Sequence, residues 1–390
     1  MELYVLLIRL KVSPDKTITI FFINLINVNT LIRAMSNFSS YSVFLDFNVV
    51  RGLCWSMAVI SVPCNIIVII RFILLNYQCS GKLSTKTFYS SYQSRFSISH
   101  NPSIFLLFNL AIGDLISSLY LLLLAIGDVA YTNYYQDLYG SNSNYSAIRN
   151  DWVISPICTI SRILSQLALL ISIILTFTVA VDRFILVVLP RSRRKITMKR
   201  AYVITTVSWL FAIMISITVG LISAQSAAKQ SSTYFDIICH LCNMELFTNN
   251  FVYIFAYLET FSGFALHLTS MILYIIIYRK LKKSQQKFST TSSNRAEKRI
   301  SIILSSIVLT NVLTYVPITM ITIVGHVYPS YSFIENQVFP SIVFLLYLNA
   351  VINPILLLSL SAKIGWHTRQ IGQSSDCNPS INRLNLTYIS

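Results

Sequence analysis

The sequence predicts an all-α membrane protein, a bundle of seven transmembrane helices with its N-terminus outside and its C-terminus inside. Three observations carry that expectation. Hydrophobic residues make up 54% of the 390 and charged residues only 11%, too few charges for a water-soluble globule. Apolar runs long enough to cross a bilayer recur at about 49–76, 102–130, 155–189, 201–224, 250–278, 300–326 and 337–361. Basic residues exceed acidic ones, 30 to 14, and gather in alternate loops. The length of the runs excludes barrel strands, which are shorter and alternate apolar with polar residues, so helices are the spanning structure that remains.

The loops fix the orientation. Lys82, Lys86 and Arg95 follow the first run, Arg191, Arg193, Arg194, Lys195, Lys199 and Arg200 the third, and a block from Arg279 to Arg299 separates the fifth from the sixth. By the positive-inside bias those loops are cytoplasmic. The alternate loops carry little net charge, with Asp137, Arg149 and Asp151 in one, Lys229, Asp236 and Glu245 in the next, and Glu335 in the third. The expected organisation is an extracellular segment over residues 1–48, a seven-span domain over 49–361 and a cytoplasmic tail over 362–390 with a short amphipathic stretch near Trp366. That is a multi-pass protein of the plasma membrane. The net charge of +16 invites a nucleic-acid reading. Charges that flank spans fit anionic membrane lipid better, and no nucleic acid is expected as a partner.

Two glycosylation triplets, at Asn37 and Asn144, fall on the expected outer side. A third, at Asn385, falls in the tail and shows how often the pattern arises by chance. The apolar stretch over residues 17–32 is short and rich in asparagine, and it receives no assignment.

Inside the runs, polar residues are the informative ones, because each is costly in a bilayer unless partnered. Asp114 sits in the middle of the second run with no adjacent base, so it must be protonated, solvated or paired with a cation. Asn65, Ser172, Asn349 and Asn353 lie near the middle of their own runs and offer oxygens. A sodium ion or a hydrated polar network at Asp114 is one reading. Asparagines and a neutral acid linking helices by hydrogen bonds is the other. The third run begins near Cys158 and closes with Asp182-Arg183-Phe184. Roughly 25 residues of helix cover about 37 Å, which carries these two ends to opposite faces of a bilayer. No metal-ligand cluster, phosphate loop or nucleophile-base pair is apparent, so an enzyme is not expected.

Taken in order, these features resemble the rhodopsin-like (class A) G-protein-coupled receptors. They are Asn65, Asn109-Leu110-Ala111 followed by Asp114, Cys158, Asp182-Arg183-Phe184, Trp209, Tyr274, Pro317 and Asn353-Pro354. The likeness runs from Asn65 to about Trp366. A narrower one is to the glycoprotein-hormone and relaxin receptors, which carry leucine-rich repeats outside. Its basis is the run from Tyr120 to Ala125, the tyrosine-rich outer loop ending in Trp152, Thr310-Asn311, Leu266 in place of a mid-span proline, and Asn349 with Asn353. The 48 or so residues before the first span are too short for a stack of repeats, so the expectation is such a transmembrane domain without its repeat ectodomain.

The resemblance implies a receptor that signals to heterotrimeric G proteins. In its resting state Arg183 pairs with Asp182 and with Glu297 at the inner start of span six, and activation swings span six outward about Pro317. Tyr274 at the inner end of span five takes part in the switch. Cys158 is expected to bridge to the second outer loop, with Cys239 and Cys242 as alternative partners. Three departures stand out: Leu357 replaces the tyrosine of the span-seven motif, Tyr315 replaces the tryptophan ahead of Pro317, and Arg191 follows Pro190 where an apolar side chain docks into the G protein. Ser165 stands where amine receptors place an aspartate, and Tyr347 where opsins carry the retinal lysine, so a peptide or protein ligand is expected. Outer-loop Tyr131, Tyr134, Tyr135, Tyr139 and Tyr145 suit such a partner. Two rival readings are a receptor-like protein that does not signal and an ion-binding transporter or channel working through Asp114.

Overall fold

The structure, a computed structural model, describes residues 48–80, 101–139, 151–189, 195–229, 241–242, 250–285, 305–311, 313–315, 317 and 344–359. Regular structure among these residues is helical throughout. Five helices are long and apolar enough to cross a membrane. They are α1 (Asn48–Ser80), α2 (Pro102–Tyr139), α3 (Pro156–Val188), α4 (Met198–Lys229) and α5 (Asn250–Gln285). Two shorter helical segments follow, α6 at residues 305–311, 313–315 and 317, and α7 at Phe344–Ser359. Of the expected features, residues 1–47 of the outer segment, Asn37, Asn144, Arg191, Cys239, Glu297 and the tail lie outside the described residues.

Helix starts follow local chemistry. Asn101 caps α2, its side-chain oxygen accepting from the Ser103 amide at 3.0 Å, and Pro102 opens the first turn. Ser155 does the same for α3, accepting from the Cys158 amide at 3.1 Å ahead of Pro156. The first helical turns at 151–154 break at Ser155 and place Trp152 inside the protein, 1% exposed. Trp152, expected at the end of an outer loop, is one of the largest fully buried side chains.

Several helix ends extend beyond the apolar runs. α2 continues to Tyr139 because residues 128–139 contain neither glycine nor proline to stop it. Tyr131, Tyr134, Tyr135 and Tyr139 therefore sit on a helix and not on a loop. α5 runs on to Gln285, where Lys282 and Lys283 in the last turn face the negative end of the helix dipole. α4 likewise starts earlier and ends later than its apolar run.

The helices are built for lipid outside and small or polar side chains inside, as expected where lipid tails are as apolar as leucine. On α4, Val203, Val207, Leu210, Met214, Ile217 and Leu221 are exposed, while Thr205, Ser208, Ala212, Ser216 and Ser223 are buried. A Cβ on Gly220 would come within 2.7 Å of Ile163, so glycine is what lets α4 approach α3 here. On α5, Leu258, Phe261, Ile272 and Ile276 face outward, while Glu259, Gly263, His267, Ser270, Tyr274 and Ile277 form the inward stripe. α3 is the central helix, packed against α2, α4 and α5, and α1 packs on α2.

Two apolar clusters occupy opposite ends of the bundle. One, at the Cys158 end, gathers Val50, Cys54, Tyr120, Leu124, Trp152, Leu241, Phe344 and Tyr347. The other, towards the Arg183 end, gathers Leu106, Leu110, Ile171, Leu175, Tyr274, Ile277, Ile307, Val308 and Leu357. Between them lies a layer of buried polar side chains.

Candidate functional site

The polar layer is assembled from amide donors on different helices. Asn65 of α1 is fully buried, and its Nδ2 reaches the Ala350 carbonyl of α7 at 2.8 Å and Ser118 Oγ of α2 at 3.0 Å. Ser118 in turn donates to the Asp114 carbonyl at 2.8 Å. Asn353 of α7 donates its Nδ2 to the Asp114 carboxylate at 3.1 Å. On the other side of the layer Asn349 Nδ2 donates to Thr314 Oγ1 of α6 at 3.0 Å, and Asn311 Nδ2 of α6 donates to Thr176 Oγ1 of α3 at 2.9 Å. Polar links thus tie α1, α2 and α7 together, and α7 through α6 to α3.

The asparagine oxygens are the complement of these donors. Oδ1 of Asn65, Asn311, Asn349 and Asn353 is buried with no hydrogen-bond donor among the described residues. A carboxylate and several bare amide oxygens in one layer make a donor-poor, oxygen-rich environment, which suits a hard cation or bridging water. Of the five residues grouped from the sequence, Asp114 and Asn353 are in direct contact, Asn65 joins through Ser118, and Asn349 turns to α6. Ser172 is only half-buried and forms no hydrogen bond to Asp114.

At the far end of α3 the switch motif differs from its expected form. Asp182 is 2% exposed, and its carboxylate accepts from Ser103 Oγ of α2 at 2.5 Å. It forms no salt bridge with Arg183, and the ion pair found among the described residues is elsewhere, between Arg51 and Asp128. The reason is local: a carboxylate turned towards α2 satisfies the Ser103 hydroxyl inside the bundle. Arg183 is half-buried, and its Nε has no hydrogen-bond partner among the described residues. Tyr274 of α5 is buried, within the electrostatic reach of Arg183 and Asp182, and its hydroxyl is also without a hydrogen-bond partner there. Phe184 packs on the neighbouring apolar cluster, and Pro354 is buried on α7. Leu357 is 3% exposed in the same cluster as Tyr274, so an apolar contact stands where a hydroxyl is usual. Pro317 lies in the helical part of α6. The second half of the expected latch, Glu297, is outside the described residues.

The Cys158 end is tied down covalently. Cys158 is disulfide-bonded to Cys242, across 84 residues of sequence, which settles the partner left open by the sequence. Cys242 takes a left-handed backbone conformation, φ 48°. Next to it, the Leu241 carbonyl accepts from the Tyr120 hydroxyl at 2.6 Å. The Tyr120 ring lies 4.7 Å from that of Tyr347, and Tyr131 meets Trp152 edge-on at 5.0 Å.

Two buried charged features were not read from the sequence. Arg51 of α1 and Asp128 of α2 form an ion pair at 2.6 Å with side chains 7% and 0% exposed. Glu259 of α5 meets Gln166 of α3, whose Nε2 lies 2.7 Å from each carboxylate oxygen. The signal was available: each is an ionisable residue inside an apolar run, the same rule that singled out Asp114.

The sequence matches the family described as 7 transmembrane receptor (rhodopsin family) over residues 93–357, more than half of the chain. It is also similar to the G-protein coupled receptor GRL101 of Lymnaea stagnalis, 23% identical over 323 residues. That alignment covers 82% of this chain and 25% of the relative, so the chain spans about a quarter of the length of the protein it matches.

Proposed function

Since the chain belongs to the rhodopsin family of seven-transmembrane receptors and is a G-protein-coupled receptor, we propose that it carries an extracellular peptide or protein signal across the plasma membrane to heterotrimeric G proteins. In this reading α6 and α7 are the last two of seven spans. The N-terminus and Cys158 end face outside, and the Arg183 end faces the cytoplasm. The observation that carries the reading is the state of Arg183. Its neighbour Asp182 is already engaged by Ser103, and its Nε is buried without a partner among the described residues. A cation held that loosely at the mouth of the bundle is poised for an acceptor, whether Glu297 at rest or a partner's backbone carbonyls in the active state. α6 is pinned to α7 and α3 by Thr314 and Asn311, just before Pro317. Below those links, Ile307 and Val308 are its apolar contribution to the core, and the proposed movement carries this inner part outward.

The test is nucleotide exchange on a panel of G proteins in membranes holding the full chain. Arg183→Ala is expected to lose exchange and Glu297→Ala to raise the basal rate. Background exchange in the wild type and both variants, with surface expression verified, favours the non-signalling reading, which Leu357 beside Tyr274 keeps in play.

We further propose that Asp114 and the oxygens of Asn353 and Asn349 hold a sodium ion that steadies the resting bundle by charge neutralisation. Sodium is then expected to lower basal exchange, and Asp114→Asn to abolish that dependence. Equal sodium sensitivity in both proteins would remove the ion from Asp114.

A further inference from the structure

We propose that Glu259 and Gln166 form the anchor for a cationic group, a primary ammonium or a guanidinium, on a ligand entering from the Cys158 end. The proposal rests on the receptor reading and adds the chemistry its ligand must carry. Glu259 is 6% exposed on the inward stripe of α5, and Gln166 is 2% exposed on α3. Among the described residues the side-chain donor facing the carboxylate is a single neutral nitrogen, the Gln166 amide, shared between its two oxygens at 2.7 Å each. A carboxylate accepts about four hydrogen bonds, so most of its capacity is unused. Gln166 Oε1, on the same amide head, is buried with no donor at all among the described residues.

Two carboxylate oxygens therefore share one nitrogen, with Gln166 Oε1 on the same amide head, and no positive side chain pairs with them among the described residues. Arg162, one turn away on α3, gives its NH1 to the Val153 carbonyl at 3.2 Å and makes no salt bridge with Glu259. His267 lies two turns further along α5, its ring against Tyr315 at 4.7 Å. Ser165, beside Gln166, is uncharged. Such an arrangement in a bilayer is costly by itself and is relieved by a group that brings both positive charge and several N–H donors. Gln166 is eight residues from the disulfide-bonded Cys158, about 12 Å along the helix axis, a depth that an inserted peptide end bearing a basic group or an amine-bearing small molecule reaches.

The site also has a route to the switch. Tyr315 of α6 lies close enough to feel the Glu259 charge, and its hydroxyl packs on Gly263, one turn along α5, where a Cβ would come within 2.5 Å of it. Tyr315 stands two residues before Pro317. A cation that draws Glu259 away from Gln166 thus acts beside the residue that leads into the α6 proline.

The probes are phenethylamine and phenethylguanidine, with 2-phenylethanol as the uncharged control, each at 10 mM or below on the purified full chain in lipid nanodiscs. Both cations are expected to raise Tm saturably, by about 5 °C near saturation, and the alcohol to leave it unchanged. Glu259→Gln is expected to lose the shift. A shift shared by the alcohol, one retained in Glu259→Gln, or no shift with either cation overturns the proposal. Should Glu259→Gln fail to fold, Gln166→Lys decides, since it supplies the cation in place. It is expected to raise Tm and to abolish the probe response, and a lowered Tm counts against the site. No G protein is present in this assay, so its failure leaves the exchange experiment on Arg183 untouched.

Discussion

Arg51→Leu is expected to destabilise the bundle by about 3–5 kcal/mol, the usual consequence of removing one partner from a buried ion pair. Asp128 is completely buried, and its ion-pair partner reaches it from α1 at 2.6 Å. Without Arg51 the short carboxylate loses its ion-pair partner at a fully buried position eleven residues before the end of α2. The reverse substitution is milder. Arg51 lies three residues from the start of α1, and its long side chain can extend to the membrane surface when Asp128 is replaced. Asp128→Leu is therefore expected to cost less than Arg51→Leu, and the double variant to recover most of the loss. Thermal unfolding of the purified chain and its surface expression read all three. Equal losses in the two single variants would show that the pair does not behave as a buried charge with one mobile partner.

What the sequence conveys well is the part of the structure set by solvent. Apolar runs and their flanking charges located the five long helices, because a bilayer admits few other solutions, and polar punctuation such as Asn101-Pro102 and Ser155-Pro156 fixed two of the starts. Motif residues fell together where spacing along one helix or a family likeness was enough, as with Asp114 and Asn353. What it does not convey is pairing between helices. Asp182 next to Arg183 reads as an ion pair, yet rotation about α3 turns the carboxylate to Ser103, about 80 residues earlier. Arg51 with Asp128, and Gln166 with Glu259, are separated by 77 and 93 residues and acquire meaning only when α1 meets α2 and α3 meets α5. The burial of Trp152 was not legible for a related reason. A polar neighbourhood suggests a loop, but the void beside Gly127 decides where the ring goes, and a Cβ there would come within 2.3 Å of it.

The double variant Cys158→Ser/Cys242→Ser is expected to lose about 2–4 kcal/mol. For a random coil, closing the 84-residue loop between these cysteines corresponds to about 4.5 kcal/mol of denatured-state entropy. Much of that loop is the rest of α3 and all of α4, which remain helical in a bilayer when the bundle loosens, so less freedom is regained than the coil figure assumes. The loss is local as well as global. Leu241 and Cys242 belong to the apolar cluster with Tyr120, Trp152 and Tyr347, and the Tyr120 hydroxyl hydrogen-bonds the Leu241 carbonyl. Freeing Cys242 from its left-handed turn removes that acceptor from a fully buried phenol. Tryptophan fluorescence is the fitting readout, since Trp152 sits in the same cluster. Its emission is expected to shift to the red at a lower temperature in the double variant, and in the wild type once a membrane-permeant reductant is added. Tyr120→Phe is expected to soften the same transition by about 1 kcal/mol and to leave the disulfide intact. If the reductant moves the wild-type transition no more than it moves that of the cysteine-free variant, the bridge does not fasten this end of the bundle.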